Sequence, residues 1–271
     1  MQFRTHSHRF AEAIINSDQA LLTRYKEFTD ALYSITDLEL VKDYISKKIQ
    51  HRQRGTSFKS LTSTINSLIK SRINSIPGWN SEVEIFNDEI GILGNTEWRL
   101  DFACDNALCV EVAFNHGEAI AWNLLKPVLA FELNHVKKAV QGKLGIYVCA
   151  TDDLKKSGNI DSSSGSFEKV LRYLTPMMNQ LTVPIMIIGL EAPTNFFIDR
   201  NSKNVISKSF IPDITDISAK IQTNDGQELS GKIIEYSHAA YQGNPASIVF
   251  QYSGDNITIY ENYVNNIEYE I

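Results

Sequence analysis

Two unbroken apolar runs constrain the fold more strongly than any other feature of this sequence. They span residues 145–150 (GIYVCA) and 183–190 (VPIMIIGL), and such runs are typical of strands buried on both faces of a sheet. Between them, a helix is predicted by apolar residues at helical spacing, namely Phe167, Val170, Leu171, Leu174 and Met178. A strand, a helix and a second strand in this order form a right-handed parallel crossover. We therefore expect a mixed sheet flanked by helices.

The residues before this crossover are mainly helical in pattern. Apolar spacing predicts two helices within residues 8–50, and a basic amphipathic helix follows the break at Gly55 and ends at Pro77. Residues 82–86 alternate like a first strand, and residues 119–140 predict a further helix.

The C-terminal part of the chain has a different character. Residues 194–219 look irregular, and from Lys220 onward short alternating runs separated by turn residues predict three to five strands. The whole chain is thus expected to have three parts, a helical region with a basic segment (1–79), a core (80–193) and a β-rich region (194–271).

Residues 97–114 predict a hairpin that carries an acidic residue in each strand. The strands are residues 97–103, with Asp101, and residues 107–114, with Glu111, and residues 105–106 form the turn. A carboxylate in an apolar strand is costly unless its charge is compensated. Oxygen ligands of this kind favour Mg²⁺, which suggests metal-assisted cleavage of a phosphodiester. The alternative is that one or both acids lie on the solvent side and bond a neighbouring helix.

The distribution of charge favours a nucleic-acid partner although the net charge is −6. Residues 1–75 hold 12 Lys and Arg against 7 Asp and Glu, and the remainder of the chain is acidic. Affinity for phosphate follows the local field rather than the total charge. The candidate contacts with DNA in this basic block are Lys47, Lys48, Arg52, Arg54 and Lys59. A solvated helix face explains the same block equally well.

The spacing of Asp101 and Glu111, with nine residues between them, resembles the core motif of the PD-(D/E)xK nucleases. More narrowly, the sequence EVAFNHGEAIAWNLLKPVLA, which begins at Glu111, resembles type II restriction endonucleases of the BglII/BstYI group. The resemblance covers residues 80–190 by order of elements, and its close motif lies within residues 98–130. It implies an α/β (α+β) fold with a restriction-endonuclease-like core, in which Asp101 and Glu111 hold the metal ion.

The third catalytic position of the family falls on Ala113, where related enzymes have lysine, glutamine or glutamate. Alanine cannot take that role, which leaves three readings. A nearby residue can substitute for it, the site can hold its substrate without cutting, or the fold can serve binding alone. The candidate substitutes are Asn115, His116, Glu118 and Lys126, of which Lys126 is preferred.

Each of these candidates also has a structural interpretation. Lys126 is otherwise a lysine on the surface of a helix. His116 can activate water near neutral pH, but it can also contact a phosphate or cap the following helix. Asn115 can contact DNA or form the turn at Asn-His-Gly.

The resemblance implies a type II restriction endonuclease that acts with Mg²⁺ as a homodimer on double-stranded DNA. The alternatives are a non-cleaving DNA-binding protein on the same fold, which Ala113 favours, and a structure-specific repair nuclease. The chain has no run of about twenty apolar residues and no apolar core of a signal peptide, so a cytoplasmic location in a bacterial cell without membrane contact is expected. The three cysteines lie in apolar runs without a CxxC pair, so they are expected to be buried thiols rather than zinc ligands.

Overall fold

The computed structural model describes residues 1–87, 98–104, 107–132, 137–239 and 243–271. These residues form two compact units. The first consists of Met1–Ile35, Ile65–Lys156 and Ile160–Ala192, and the second of Thr36–Thr64, Ser157–Asn159 and Pro193–Ile271. The division into residues 1–79, 80–193 and 194–271 stays a prediction.

The described residues contain seven α-helices and thirteen strands. The helices are α1 (Ala11–Ser17), α2 (Gln19–Ser34), α3 (Asp37–Gln53), α4 (Thr62–Asn74), α5 (Ile120–Phe131), α6 (Asp152–Ser157) and α7 (Phe167–Leu174). The strands are β1 (Phe3–His8), β2 (Trp79–Glu84), β3 (Arg99–Cys104), β4 (Leu108–Ala113), β5 (Leu144–Ala150), β6 (Ile185–Leu190), β7 (Phe196–Ile198), β8 (Val205–Ser207), β9 (Ile217–Thr223), β10 (Glu228–Ser237), β11 (Ser247–Tyr252), β12 (Asp255–Tyr260) and β13 (Val264–Glu270).

The first unit is built on a six-stranded mixed sheet with the order β1-β6-β5-β4-β3-β2. Strands β4, β5 and β6 run parallel, and the remaining pairs are antiparallel. Every residue of β5 and β6 is buried, as their unbroken apolar sequences require. The predicted mixed sheet, its parallel crossover and the hairpin of β3 and β4 are confirmed.

The N-terminal region departs from its prediction in two ways. Three helices, rather than two, lie within and around residues 8–50, because Asp18 ends α1 and caps α2 by accepting hydrogen bonds from the backbone N–H groups of Ala20 and Leu21. Strand β1 was not predicted, because its sequence FRTHSH lacks alternating apolar residues. It pairs antiparallel with β6 at the edge of the sheet.

The helix α5 covers one face of the sheet and ends earlier than expected. It follows a short 3-10 helix at Gly117–Ala119 and stops at Phe131 rather than extending to residue 140. Its buried residues pack with those of α7, β5 and β6 in one apolar cluster. Gly145 in β5 permits this packing, because a Cβ atom at that position would lie 2.7 Å from Cβ of Pro127.

The second unit contains a seven-stranded antiparallel sheet with the order β12-β11-β10-β9-β13-β8-β7. The five strands that follow the irregular segment agree with the prediction of three to five. The segment itself is less irregular than predicted, since it contains β7 and β8, whose three residues each are too short to show a period. Helix α3 belongs to this unit and begins with a capping box between Thr36 and Glu39.

Several predictions fall on residues outside the described ranges. These are the hairpin turn at residues 105–106, Glu97 at the start of a strand, and residues 133–136 of the predicted helix 119–140. The cysteines are all within the described ranges, where they are buried free thiols as predicted. No helix of the described chain is long and apolar enough to cross a membrane.

Candidate active site

The two acidic residues of the hairpin lie where the pairing of β3 and β4 ends. The ladder joins Cys104 to Leu108 and continues to Phe102 and Val110. At the next position, the side-chain carboxylates of Asp101 and Glu111 accept the hydrogen bonds of backbone N–H groups. Asp101 Oδ2 accepts a hydrogen bond from the Val112 N–H at 2.6 Å, and the Glu111 carboxylate accepts one from the Asp101 N–H. The two carboxylates are therefore fixed next to each other at one edge of the hairpin.

The surroundings of this acid pair disfavour negative charge. Burial and the charge of Asp101 together raise the pKa of Glu111 to about 8, although Lys126 acts in the opposite direction. Burial also raises the pKa of Asp101, against the opposing effects of the Val112 N–H and of Lys126. Two buried carboxylates whose charges are incompletely compensated have the chemistry of a cation site.

A lysine reaches this pair from the neighbouring helix. Lys126 Nζ lies 2.9 Å from Oε2 and 3.1 Å from Oε1 of Glu111, and its side chain is 15% exposed. Strand alternation places Ala113 on the same face of β4 as Glu111, where it packs in the apolar cluster beneath α5. Ala113, which lacks a functional group, and α5, which supplies the amine of Lys126, thus lie on the same side of the sheet. The structure brings Asp101, Glu111 and Lys126 together.

A second ion pair lies close to Asp101. Glu82 has a left-handed backbone with φ of 53° between the pairs that join Ser81 to Phe102 and Val83 to Leu100. Its charge raises the pKa of Asp101, whereas Lys70, whose Nζ is 3.0 Å from Glu82 Oε1, lowers it. Glu82 is the first residue of the predicted first strand. No local signal in the sequence connects Lys70 with Asp101.

The other candidates near β4 lie beyond its C-terminal end. His116 is exposed, and its Nδ1 is 2.6 Å from Ser163 Oγ. Asn115 is also exposed, and its Oδ1 accepts a hydrogen bond from Asn123 at 3.2 Å. Among the described contacts, neither residue is hydrogen-bonded to Asp101 or Glu111. Their predicted roles in catalysis and DNA binding remain predictions.

The basic candidates belong to the second unit and differ strongly in exposure. Arg52, Arg54 and Lys59 are exposed. Lys47 Nζ is 2.8 Å from Asp43 and donates to the Ser63 carbonyl oxygen. Lys48 is only 8% exposed, and burial lowers its pKa to about 8. Its ammonium donates to Lys203 O and Asn204 Oδ1, at 2.6 Å each, so these internal acceptors engage it.

The donor set of the acid pair fits a magnesium ion. No group of three His, Cys, Asp or Glu side chains that could hold a metal occurs in the described part of the chain. Mg²⁺ does not need such a group, because it keeps several waters and takes only one or two protein carboxylates. Asp101 and Glu111 provide two, and a cation would relieve the cost of their buried charge.

Comparison with known proteins places this chain among restriction endonucleases. A family model described as restriction endonuclease BglII/BglIII matches residues 3–190, which run from the first residue of β1 to the last residue of β6. The chain belongs to this family. The predicted resemblance and the predicted fold class are confirmed.

Two solved structures are similar to this chain. The crystal structure of restriction endonuclease BglII complexed with a DNA 16-mer has a TM-score of 0.51 and 16% identity, and covers 92% of this chain and 100% of that chain. The crystal structure of free BglII has a TM-score of 0.40 and 14% identity over the same shares. A comparison with curated protein sequences found no match. At these identities the likeness to solved structures concerns the fold.

Proposed function

We propose that this restriction endonuclease hydrolyses phosphodiester bonds of double-stranded DNA with Mg²⁺ held by Asp101 and Glu111, and that Lys126 completes its catalytic site. The observation that carries the proposal is the contact of Lys126 Nζ with both carboxylate oxygens of Glu111. It supplies, from α5, the amine that position 113 lacks.

Each residue has a role that follows from its contacts. The Val112 N–H holds one oxygen of Asp101, which fixes the orientation of that carboxylate toward the site. Lys126 holds both oxygens of Glu111, and an ammonium group has three N–H donors. The remaining donor can stabilise negative charge that develops on a scissile phosphate. A bound Mg²⁺ ion supplies the Lewis acidity that activates water and neutralises this charge.

DNA is the proposed partner, because the BglII structure of similar fold was solved with a DNA 16-mer. Arg52, Arg54 and Lys59 are the exposed basic residues that we propose as phosphate contacts, with Lys47 and Asn115 as further candidates. Lys48 is a less favourable phosphate contact, since binding a phosphate would compete with its internal hydrogen bonds. We further propose a homodimer on palindromic DNA, in which each site cuts one strand, acting in the bacterial cytoplasm.

A second candidate function is sequence-specific DNA binding without cleavage. It is favoured by Ala113, which carries no group able to activate water or to bind a phosphate. Lys126 of α5 argues against this second function, because it supplies beside Glu111 the amine that position 113 lacks.

The proposal is tested by incubating plasmid and phage DNA with Mg²⁺ and the chain, beside the variants Asp101→Asn, Lys126→Met and Lys26→Met. Lys26 is an exposed lysine of α2 and serves as the matched control. Discrete fragments are expected from the unaltered chain and the control, and none from the first two variants. A salt-sensitive DNA complex without any cleavage would instead support the binding function. Cleavage of these DNAs without a pattern of discrete fragments would indicate a structure-specific nuclease.

A further inference from the structure

The buried face of α5 contains one polar residue, Asn123. It is 4% exposed, and the other buried residues of this helix are Ile120, Leu124, Pro127, Val128 and Ala130. An amide in such a stripe loses its hydrogen bonds to water, and burying it is unfavourable unless protein partners replace them. An apolar residue would fill the same space without this cost. The presence of an amide therefore calls for an explanation in terms of its partners.

Asn123 joins α5 to β5 and to the segment that follows β4, the strand of Glu111. Its Nδ2 donates to Asn115 Oδ1, at 3.2 Å, two residues after the end of β4, and a side-chain hydrogen bond connects it with Tyr147 of β5. Tyr147 is 1% exposed and is the residue paired with Glu111 in the parallel register. Burial raises the pKa of Tyr147 well above its usual range, so the phenol keeps its proton as a fixed partner.

The same helix carries Lys126 three residues later. Residues three apart lie on neighbouring positions of one helix face, about 4.5 Å apart along the axis. Apolar contacts have little directionality, so they permit small rotations and shifts of a helix on a sheet. The hydrogen bonds of Asn123 to Tyr147 of β5 and to Asn115 after β4 define the rotation and axial position of α5. These are the two variables that decide where the amine of Lys126 lies relative to Glu111.

We propose that Asn123 is a positioning residue, which holds Lys126 against Glu111 by fixing α5 to β5 and to the segment that follows β4. The inference rests on the proposed function, since Lys126 matters to cleavage only if it completes the site. Asn123 itself touches neither of the two acids among its described contacts. Its effect on the reaction therefore passes through Lys126.

The variant Asn123→Leu tests this role, because leucine has a similar volume and keeps the helix apolar. We expect the single-turnover cleavage rate to fall on the order of 10- to 100-fold, while DNA affinity measured in Ca²⁺ stays within about twofold. Tyr147→Phe removes one partner of Asn123 with almost no change in volume, and a smaller loss of rate is expected. This variant keeps the test valid if Asn123→Leu does not fold.

The matched control is Thr29→Val in α2. Thr29 is also a buried polar residue, at 7% exposure, and its hydroxyl lies 3.1 Å from the carbonyl oxygens of Tyr25 and Lys26 within its own helix. Its loss should reduce stability as any buried hydrogen bond would. The cleavage rate of the folded control should be unchanged.

A double-mutant cycle separates positioning from a general structural effect. In the Lys126→Met background, Asn123→Leu should lower the residual rate by less than about twofold, because the group that it positions is already absent. Equal fold-losses in both backgrounds would overturn the proposal.

A direct observation of the Lys126 ammonium group needs no catalytic activity. In ¹⁵N-edited spectra of lysine side chains, the Lys126 signal is identified by its loss in Lys126→Met. We expect slow hydrogen exchange for it in the unaltered chain and in Thr29→Val, and fast exchange with a shifted resonance in Asn123→Leu. An unchanged signal in Asn123→Leu would overturn the proposal. If the unaltered chain cut no DNA, the proposed function would fail, and the spectra would still decide whether Asn123 holds Lys126.

Discussion

Replacing Glu111 with glutamine should change how the stability of the protein depends on pH. The pKa of Glu111 is about 8 in the folded chain, against an ordinary value of 4.5. The native state therefore binds this proton more tightly than the unfolded state. Without a divalent ion, the contribution of Glu111 to stability is complete below pH of about 4.5 and is lost as the pH rises toward 8.

The size of the effect follows from the difference of about 3.5 pKa units, which corresponds to a change on the order of 5 kcal/mol in the free energy of unfolding. Glutamine carries no titrating proton, and one amide oxygen can still accept from Lys126. The Glu111→Gln variant should consequently gain stability relative to the unaltered chain as the pH rises from 5 to 8.

The assay is urea unfolding in EDTA at pH 5, 6.5 and 8, followed by circular dichroism. Glu118→Gln provides the control, since Glu118 is an exposed glutamate just beyond β4. The control should follow the unaltered chain at each pH. A constant difference in unfolding free energy between Glu111→Gln and the unaltered chain across this range would refute the reasoning. Repeating the series with Ca²⁺ should reduce the loss of stability at pH 8, because a bound cation compensates the charge of Glu111.

Three further substitutions probe the helix and strand around the acid pair. Lys126→Met should lower single-turnover cleavage on the order of 10²-fold or more, with DNA affinity in Ca²⁺ nearly unchanged, because an ammonium that stabilises developing charge is lost. Ala113→Gln should reduce the free energy of unfolding by about 1–3 kcal/mol in urea titrations without raising cleavage, since position 113 is 4% exposed in an apolar cluster. Gly145→Ala should both destabilise the fold and slow cleavage, because the new methyl group would lie 2.7 Å from Cβ of Pro127 and displace α5, which carries Lys126. Urea titration measures the first effect and single-turnover kinetics the second.

The sequence pattern predicted the elements whose residues are buried on regular faces. Strands β5 and β6 are apolar throughout, and the hairpin of β3 and β4 is bounded by turn residues, so local composition was sufficient. Strand β1 escaped prediction because its sequence has no apolar alternation and its pairing with β6 joins residues far apart in the chain. Strands β7 and β8 contain three residues each, too few for a period to appear.

Part of the candidate site could also be predicted from local sequence. Asp101 and Glu111 stand out because acids are unusual in apolar strands, and Lys126 could be proposed from its place after the motif. The hydrogen bonds of Asn123 with Asn115 and Tyr147 could not be predicted, because they depend on how α5 lies on the sheet. The burial of Lys48 was equally hidden, since a lysine among other basic residues gives no sign of the carbonyl and amide oxygens that will surround it.

The most direct test of the catalytic site is the dependence of DNA cleavage on Mg²⁺ for the unaltered chain and for Asp101→Asn. Asparagine keeps an oxygen for the Val112 N–H, so the hairpin should remain folded while a charged ligand is lost. The unaltered chain should cut DNA into discrete fragments at a rate that rises with Mg²⁺ and saturates, and EDTA should stop it. Asp101→Asn should bind DNA but cut on the order of 10³-fold more slowly at any Mg²⁺ concentration. Cleavage that persists in EDTA, or that is equally fast in Asp101→Asn, would contradict the assignment of this acid pair as the metal site.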